Sequence, residues 1–314
     1  MLHVEQRLTR LLPSADFRER MRAWWDGRHP DLDATLPGTA PSGDEPSADL
    51  APDGEHPGPR IFWTKARIDL AQRIWGPEHV TPGGDEHVAT LLKPLSLNPS
   101  MNIFELGAGL GAAARMMHKR FGAWPKSFEA DPALAEVAAF LSKAAGLLKK
   151  APVAHMPLDD VSIKANGFDR IILRDVAHLA PDKSALLRAV TAGLRKRGLI
   201  LITDFVLARP DETDAAVEAW RTGEPSVSSP WSEAELRAAL RAVGLDVRTA
   251  EDESAILRTH ILDGWKAYQP TLLASSPSPE LVMQALEEGE RWRRCVAALD
   301  GGALRHTRII ASKP

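Results

Sequence analysis

The sequence predicts an α/β protein built on a doubly wound, mainly parallel sheet of seven strands, and three observations predict it. Short apolar runs alternate with amphipathic stretches from residue 101 to residue 243. One of these runs, 101–106, delivers the chain into Gly107-Ala108-Gly109-Leu110-Gly111, with glycine at every second position. The next run ends in two acids, Glu129 and Asp131, the first of them 18 residues beyond Gly111. Strands alternating with helices form parallel sheets covered on both faces, and such sheets bind ligands at the carboxyl ends of their strands, where the strand order reverses.

The elements follow in order. Residues 1–29 read as a helical N-terminal extension, with Leu8, Leu11, Leu12, Phe17, Met21, Trp24 and Trp25 in an irregular apolar stripe. Residues 30–59 hold Pro, Gly, Asp and Ser and almost no large apolar side chains, the composition of a linker. The globular domain is therefore expected over 60–314. A helix over 61–75 is stopped by Gly76-Pro77, and a second begins near Gly84 with Val88, Leu91, Leu92 and Leu95 on one side. Then come strand 101–106, helix 112–120, strand 125–128, helix 132–145, strand 151–155, strand 168–174, helix 183–195 and strand 198–205. A helix over 232–243 opens with the capping pair Ser232 and Glu235. Residues 245–249 and 303–311 supply the last two strands.

Bulk properties exclude several classes. The formal net charge of −3 gives no global basic field for nucleic acid or anionic membrane. The clusters Arg195-Lys196-Arg197 and Arg291 to Arg294 read as solvated helix ends. A single cysteine, Cys295, forms no internal disulfide, which suits a reducing compartment, and it reads as a packing residue. The N-terminus lacks a signal pattern and no stretch reaches the roughly 18 apolar residues of a membrane span, so a cytoplasmic protein without an integral membrane segment is expected. No carboxylate, histidine and cysteine cluster at ligand spacing points to a metal.

The glycine turn carries the chemistry. Gly107, Gly109 and Gly111 permit positive φ and let a ligand touch the backbone, and the helix after them presents free amides and the positive end of its dipole. Glu129, at the end of the second strand, is placed to accept two hydrogen bonds from a ribose diol. Dinucleotide sites favour G-x-G-x-x-G, whereas here the spacing is G-x-G-x-G with Ala112 next. Glu105, just before the turn, would repel a pyrophosphate and suits the cationic amino group of S-adenosylmethionine. That cofactor is the expectation.

On these residues the chain resembles the class I S-adenosylmethionine-dependent methyltransferases over about residues 65 to 314. Glu105 to Gly111 matches the family's first motif, Phe128-Glu129-Ala130-Asp131-Pro132 the acid-bearing strand end, Gly167 to Leu179 the fourth strand, and Leu194 to Asp204 the fifth. The resemblance implies a Rossmann-like sheet, mostly parallel with an antiparallel last strand. It implies cofactor contacts from Glu105, Gly107, Ala108, Gly109, Gly111, Glu129, Ala130, Met156 and Asp175. Residues 73–84, with Thr81-Pro82-Gly83-Gly84, are similar to the segment that helps close over the cofactor in small-amine N-methyltransferases acting on phosphoethanolamine or on sarcosine and dimethylglycine. Thr81 and Gly83 are implied by that likeness. The chain departs from the phosphoethanolamine group at Ala71, where that group has a tyrosine, and His155 or Met156 stands where the family's adenine-binding acid often falls.

Two residues after the fourth strand are candidates for catalysis. Asp175 would face the cofactor or orient an amine, with a helix cap or a turn acid as the plain alternative. His178 has the ionisation range of a general base, against a packing role. Trp63, Trp75 and Trp231 are candidates for an aromatic pocket lining, with core packing the plainer role. The partner expected is a small-molecule acceptor, an amine before a hydroxyl. A non-catalytic protein that uses the same fold for binding or scaffolding is the alternative. A nucleic-acid methyltransferase is disfavoured by the charge and by Arg174-Asp175-Val176-Ala177, which lacks the Pro-Pro-aromatic turn of amino-methylating DNA enzymes.

Overall fold

A computed structural model describes residues 62–224, 229–274 and 277–314. The expected N-terminal helix and the linker lie outside the described residues. The compact unit considered below runs from Trp63 to Pro314.

Two helices precede the sheet. Helix α1 (Lys65–Trp75) starts after Thr64, whose side chain accepts from the Arg67 amide, and stops at Gly76, which takes a φ of +100°. Helix α2 (Gly84–Leu92) follows the turn at Gly83 and runs into a short 3₁₀ turn, Lys93–Leu95. The alternating part comprises β1 (Asn102–Leu106), α3 (Ala112–Phe121), β2 (Trp124–Glu129), α4 (Pro132–Ala144), β3 (Val153–His155), β4 (Phe168–Arg174), α5 (Lys183–Gly193) and β5 (Leu194–Leu207). Beyond it come α6 (Ala215–Gly223), α7 (Glu233–Ala242), β6 (Asp246–Asp252), α8 (Ser254–Ala274), α9 (Pro279–Asp300) and β7 (Leu304–Ser312).

The seven strands form one sheet in the order β3-β2-β1-β4-β5-β7-β6. β1 to β5 are parallel, and β7 inserts antiparallel between β5 and β6. This is the doubly wound sheet with an antiparallel last strand that the sequence predicts. The central strands are apolar because both faces are covered: Ile103, Phe104, Leu106, Ile171, Ile172, Leu173, Ile200, Leu201 and Ile202 are all buried. One core layer packs Phe104, Leu106, Ile171 and Leu173 with α5 and α7; the other packs Ile103, Ile172 and Leu201 with α2 and α3. Strand β6 forms an edge and is largely exposed, carrying Asp246, Arg248, Glu251 and Asp252, charges that discourage pairing with another chain.

Several boundaries differ from the expectation. Helix α5 ends at Gly193 instead of Arg195, and β5 begins at once, with a register irregularity against β4 and Arg197 in a left-handed conformation. Arg195-Lys196-Arg197 is thus the start of a strand and not a helix end, and Arg195 pairs with Asp169 at 2.7 Å. Arg291 to Arg294 is no solvated helix end either. It lies inside α9, where Arg291 is largely buried between Glu224 and Glu288 and the other two arginines pair with Glu290. Helix α7 carries the expected capping box of Ser232 and Glu235. Among the described residues no helix is long and apolar enough to cross a membrane.

Candidate functional site

The strand order reverses between β1 and β4, and the glycine turn leaves β1 at that point. Gly107, Gly109 and Gly111 have φ of +86°, +55° and +82°. A Cβ on Gly107 would lie 2.2 Å from the Arg174 carbonyl oxygen, so the turn presses backbone to backbone against the end of β4. At Gly109 the nearest atom is Val80 Cγ2 at 3.5 Å, so glycine is required there by conformation.

Hydrogen bonds tie the turn to β2. The amides of Gly107 and Ala108 both donate to the Phe128 carbonyl at 3.0 Å. The Gly109 amide donates to Glu129 Oε2 at 2.7 Å, and the Asp131 amide donates to Glu129 Oε1 at 3.0 Å. Burial pushes the Glu129 carboxyl up to about 7, against the opposing pull of the backbone amides of Asp131, Gly109 and Ala130. The two acids read together in the sequence therefore divide. Glu129 closes on the turn, and Asp131 caps α4 through the Ala133 and Leu134 amides.

Beneath the turn, Glu105 is fully buried. Ser127 Oγ donates to its Oε2 at 2.6 Å, while Oε1 lies 3.7 Å from Arg174 Nη1, an ion pair too long for a hydrogen bond. Burial drives the Glu105 carboxyl above its ordinary range, against Arg174 and Ser127. Oε1 remains a buried acceptor with no hydrogen-bond partner among the described residues. Arg115, on α3, is a strut. Its Nη2 donates to the Leu110 carbonyl at 2.8 Å and to Glu78 at 2.7 Å, and its Nη1 donates to Ser142 at 3.2 Å.

Residues before the sheet and after β3 also stand near the turn. Gly83 takes a φ of +106°, and a Cβ there would meet His87 and, at 3.0 Å, His260 Nδ1 on α8. His87 and His260 form an edge-to-face pair at 4.9 Å. Burial, then His260, Arg174 and His306, pushes the His87 imidazole down to about 4. Thr81 is half-buried two residues before Gly83. The Met156 amide donates to the Glu129 carbonyl at 2.9 Å, and the exposed His155 ring lies 3.1 Å from the Ala130 carbonyl through Nε2. Glu129, Ala130 and Met156 are thereby linked at the ends of β2 and β3.

The two catalytic candidates lie in different pairs. Asp175 has a φ of +53°, a conformation that Asp tolerates better than most side chains, and about a third of its side chain is exposed. Its Oδ1 lies 2.8 Å from His306 Nε2 on β7. Partial burial opposes ionisation, but His306, Arg174 and His178 together hold Asp175 well below the usual carboxylate range. His178 is buried in the 3₁₀ turn after β4, with Nδ1 and its backbone amide both on Asp204. Burial disfavours its charged form, yet Asp204 outweighs this and raises the imidazole. The two pairs flank Phe205, whose ring lies 5.3 Å from that of His178 and 5.2 Å from that of His306.

The structure does not bring the three candidate tryptophans together. Trp63 and Trp75 stand at opposite ends of the α1 region. Trp75 packs on Trp265, Trp292 and Gly264, and Trp231 packs by Lys183 in another core layer. Trp75 is a core residue and the three line no common pocket. Among the described residues no group of three side chains is arranged to hold a metal ion. His306 and His260 escaped the sequence reading. They come from the far end of the chain, His306 on β7 and His260 on α8, so no local spacing signals them.

Comparison with known proteins agrees with this geometry. The family model described as "Methyltransferase domain" matches residues 83–250. The chain is 24% identical over 157 residues to a phosphoethanolamine N-methyltransferase of Plasmodium falciparum, covering 48% of this chain and 57% of that protein. It is 25% identical over 127 residues to a glycine/sarcosine/dimethylglycine N-methyltransferase of Actinopolyspora halophila, covering 40% of this chain and 22% of that protein. The chain thus spans well under two thirds of either relative's length. Among solved structures it is similar to phosphoethanolamine N-methyltransferase 2 of Haemonchus contortus in complex with S-adenosyl-L-methionine. The TM-score is 0.71 with 18% identity, covering 81% of this chain and 58% of that one.

Proposed function

The chain belongs to the methyltransferase-domain family, and from that membership we propose that it transfers a methyl group from S-adenosylmethionine to a small amine. The observation that carries this reading is the glycine turn, closed on Glu129 from one side and underlain by the buried Glu105. The fit is physical. The cradle at Gly107 has no room for a Cβ, and Glu105 Oε1 is a buried acceptor without a donor, suited to a cationic amino group. Glu129 offers both carboxylate oxygens to a ribose diol, in exchange for or alongside the backbone amides it now holds. Ala108, Gly111, Ala130 and Met156 complete the wall for the nucleoside, and Thr81 and Gly83 close over it.

When bound, S-adenosylmethionine supplies an electrophilic methyl group on a sulfonium. The chain's own residues need only bind, orient and exclude water, because aligning two reactants removes much of the barrier to such a displacement. Asp175 stands against the turn, through the close contact of Gly107 with Arg174, and its accessible oxygen is the group that orients the amine. His178 acts behind it, through its bond to Asp204, on the wall that Asp175 belongs to. Support for an amine comes from the two N-methyltransferases the chain is similar to.

The test is calorimetric titration of the full chain with S-adenosylmethionine and, separately, with NAD, alongside Gly109→Arg. Micromolar binding of S-adenosylmethionine that is lost in G109R is the expected result. A screen of amine and hydroxyl acceptors then follows, beginning with sarcosine and phosphoethanolamine. Failure to bind either S-adenosylmethionine or its demethylated product would leave the fold as a binding scaffold.

A further inference from the structure

We infer that the Asp175–His306 pair takes up the proton released by the acceptor amine, with His306 Nδ1 as the accepting atom. The inference rests on the methyl-transfer reading above and names a residue that reading does not use. His306 is buried on β7, and its Nδ1 has no hydrogen-bond partner among the described residues. Buried polar atoms nearly always have partners, so an unpaired ring nitrogen beside a ligand site is one whose partner arrives with the ligand. The other nitrogen is accounted for, since Nε2 lies 2.8 Å from Asp175 Oδ1. A carboxylate there fixes the tautomer with the hydrogen on Nε2 and leaves Nδ1 its lone pair, the logic by which an acid orients a histidine base.

Place supports the assignment. Asp175 follows directly on Arg174, whose carbonyl the glycine turn touches, and it is held in a left-handed conformation of the kind that clusters at functional sites. In the transfer the amine lone pair forms the new N–C bond as the S–C bond breaks, its electron pair remaining on sulfur. The proton on nitrogen passes to His306 Nδ1, giving an imidazolium against the Asp175 carboxylate.

The surroundings set the ionisation of His306. Facing it are Asp175 at the end of β4, Asp204 on β5 and Glu253 between β6 and α8. His87 on α2 interacts with it, Arg174 and His178 act on Asp175, and Asp175 in turn acts on Cys295 on α9. Burial disfavours the charged ring, but Asp175, then Glu253 and Asp204, outweigh burial and hold His306 above its ordinary value. The proton-accepting form therefore gains population only as pH rises beyond the ordinary imidazole range.

The experiment needs no identified acceptor. Sinefungin is the cofactor analogue with an amine on carbon in place of the methyl sulfonium, and S-adenosylhomocysteine carries nothing at that point. Their affinities for the full chain are compared by calorimetry from pH 6 to 8.5 in wild type, His306→Gln, His306→Asn and His178→Gln. Wild type is expected to prefer sinefungin, with the preference growing by about tenfold as the neutral His306 becomes available to an ammonium group. H306Q keeps an amide to bond Asp175 but cannot titrate, so its preference loses the pH dependence while S-adenosylhomocysteine binding stays intact and reports the fold. H306N, which no longer reaches Asp175, loses it as well. PH dependence that survives in H306Q overturns the inference, as does its disappearance in H178Q alone. Failure of both ligands to bind wild type would sink the methyl-transfer reading and this inference with it.

Discussion

At the scale of single residues, Glu129 is the group whose charge state the site controls. Its carboxyl is raised from an ordinary 4.5 to about 7 because it is buried at the end of β2 with only backbone amides for company. A raised carboxyl stabilises the free protein below about pH 4.5, and that contribution is lost as pH rises through about 7. A ribose diol supplies donors that favour the ionised form, so ligand binding should expel a proton across the same window. The affinity for S-adenosylhomocysteine is expected to rise from pH 5 to about 7 and then level off. Calorimetry in buffers of different ionisation enthalpy reads the released proton. Glu129→Gln should remove the pH dependence and weaken binding by roughly tenfold to a hundredfold, the worth of one or two hydrogen bonds to a charged acceptor. The position of this acid was legible in the sequence, because the distance from a glycine turn to the end of the next strand is set by one helix. Its pairing with Gly109 was not, since burial and amide direction are tertiary facts. His306 lay beyond reach for the opposite reason: it is 131 residues from Asp175, with no motif to connect them.

At the scale of elements, the turn is held open by a strut from the helix it begins. Arg115 reaches back from α3 to the Leu110 carbonyl, across to Ser142 on α4 and out to Glu78 before α2. Arg115→Met keeps most of the volume and removes all these bonds. It should cost about 2–4 kcal/mol in urea unfolding, because the Leu110 carbonyl and Ser142 are left buried without their donor. If the cost is instead below about 0.5 kcal/mol, the range of ordinary surface substitutions, the strut is not structural. The alternating elements were readable because buried parallel strands are continuous apolar runs. Helices α8 and α9 were not read, although they hold some 43 residues between Ser254 and Asp300. Pro270 interrupts the pattern of α8, and its contact face carries a glycine and a histidine where an apolar stripe would show, with Gly264 against Trp75 and His260 against His87. In α9, carboxylates and arginines fill positions that a simple apolar stripe would occupy, because they are paired inside the fold: Glu288 is buried among Arg67, Arg291 and Trp292.

At the scale of the whole molecule, the helices between β6 and β7 are part of the core and not an accessory. Cys295 on α9 makes this measurable. It is buried, and burial, with Glu224, drives its thiol far above the ordinary value. A thiol-specific chromogenic reagent should leave the native chain unmodified for hours and react with one equivalent once urea unfolds it, since only the thiolate attacks. Rapid modification in the native state would mean that α9 opens independently of the sheet. The direction of β7 has a further consequence. Running against its neighbours, it starts where they end, so the 51 residues from Glu253 to Ala303 depart from the rim of the site and return to it. The family match stops at residue 250, just short of that excursion. Both ends of the α8–α9 segment are thus fastened at one rim of the sheet, like the two feet of an arch, while its middle is bedded in the core.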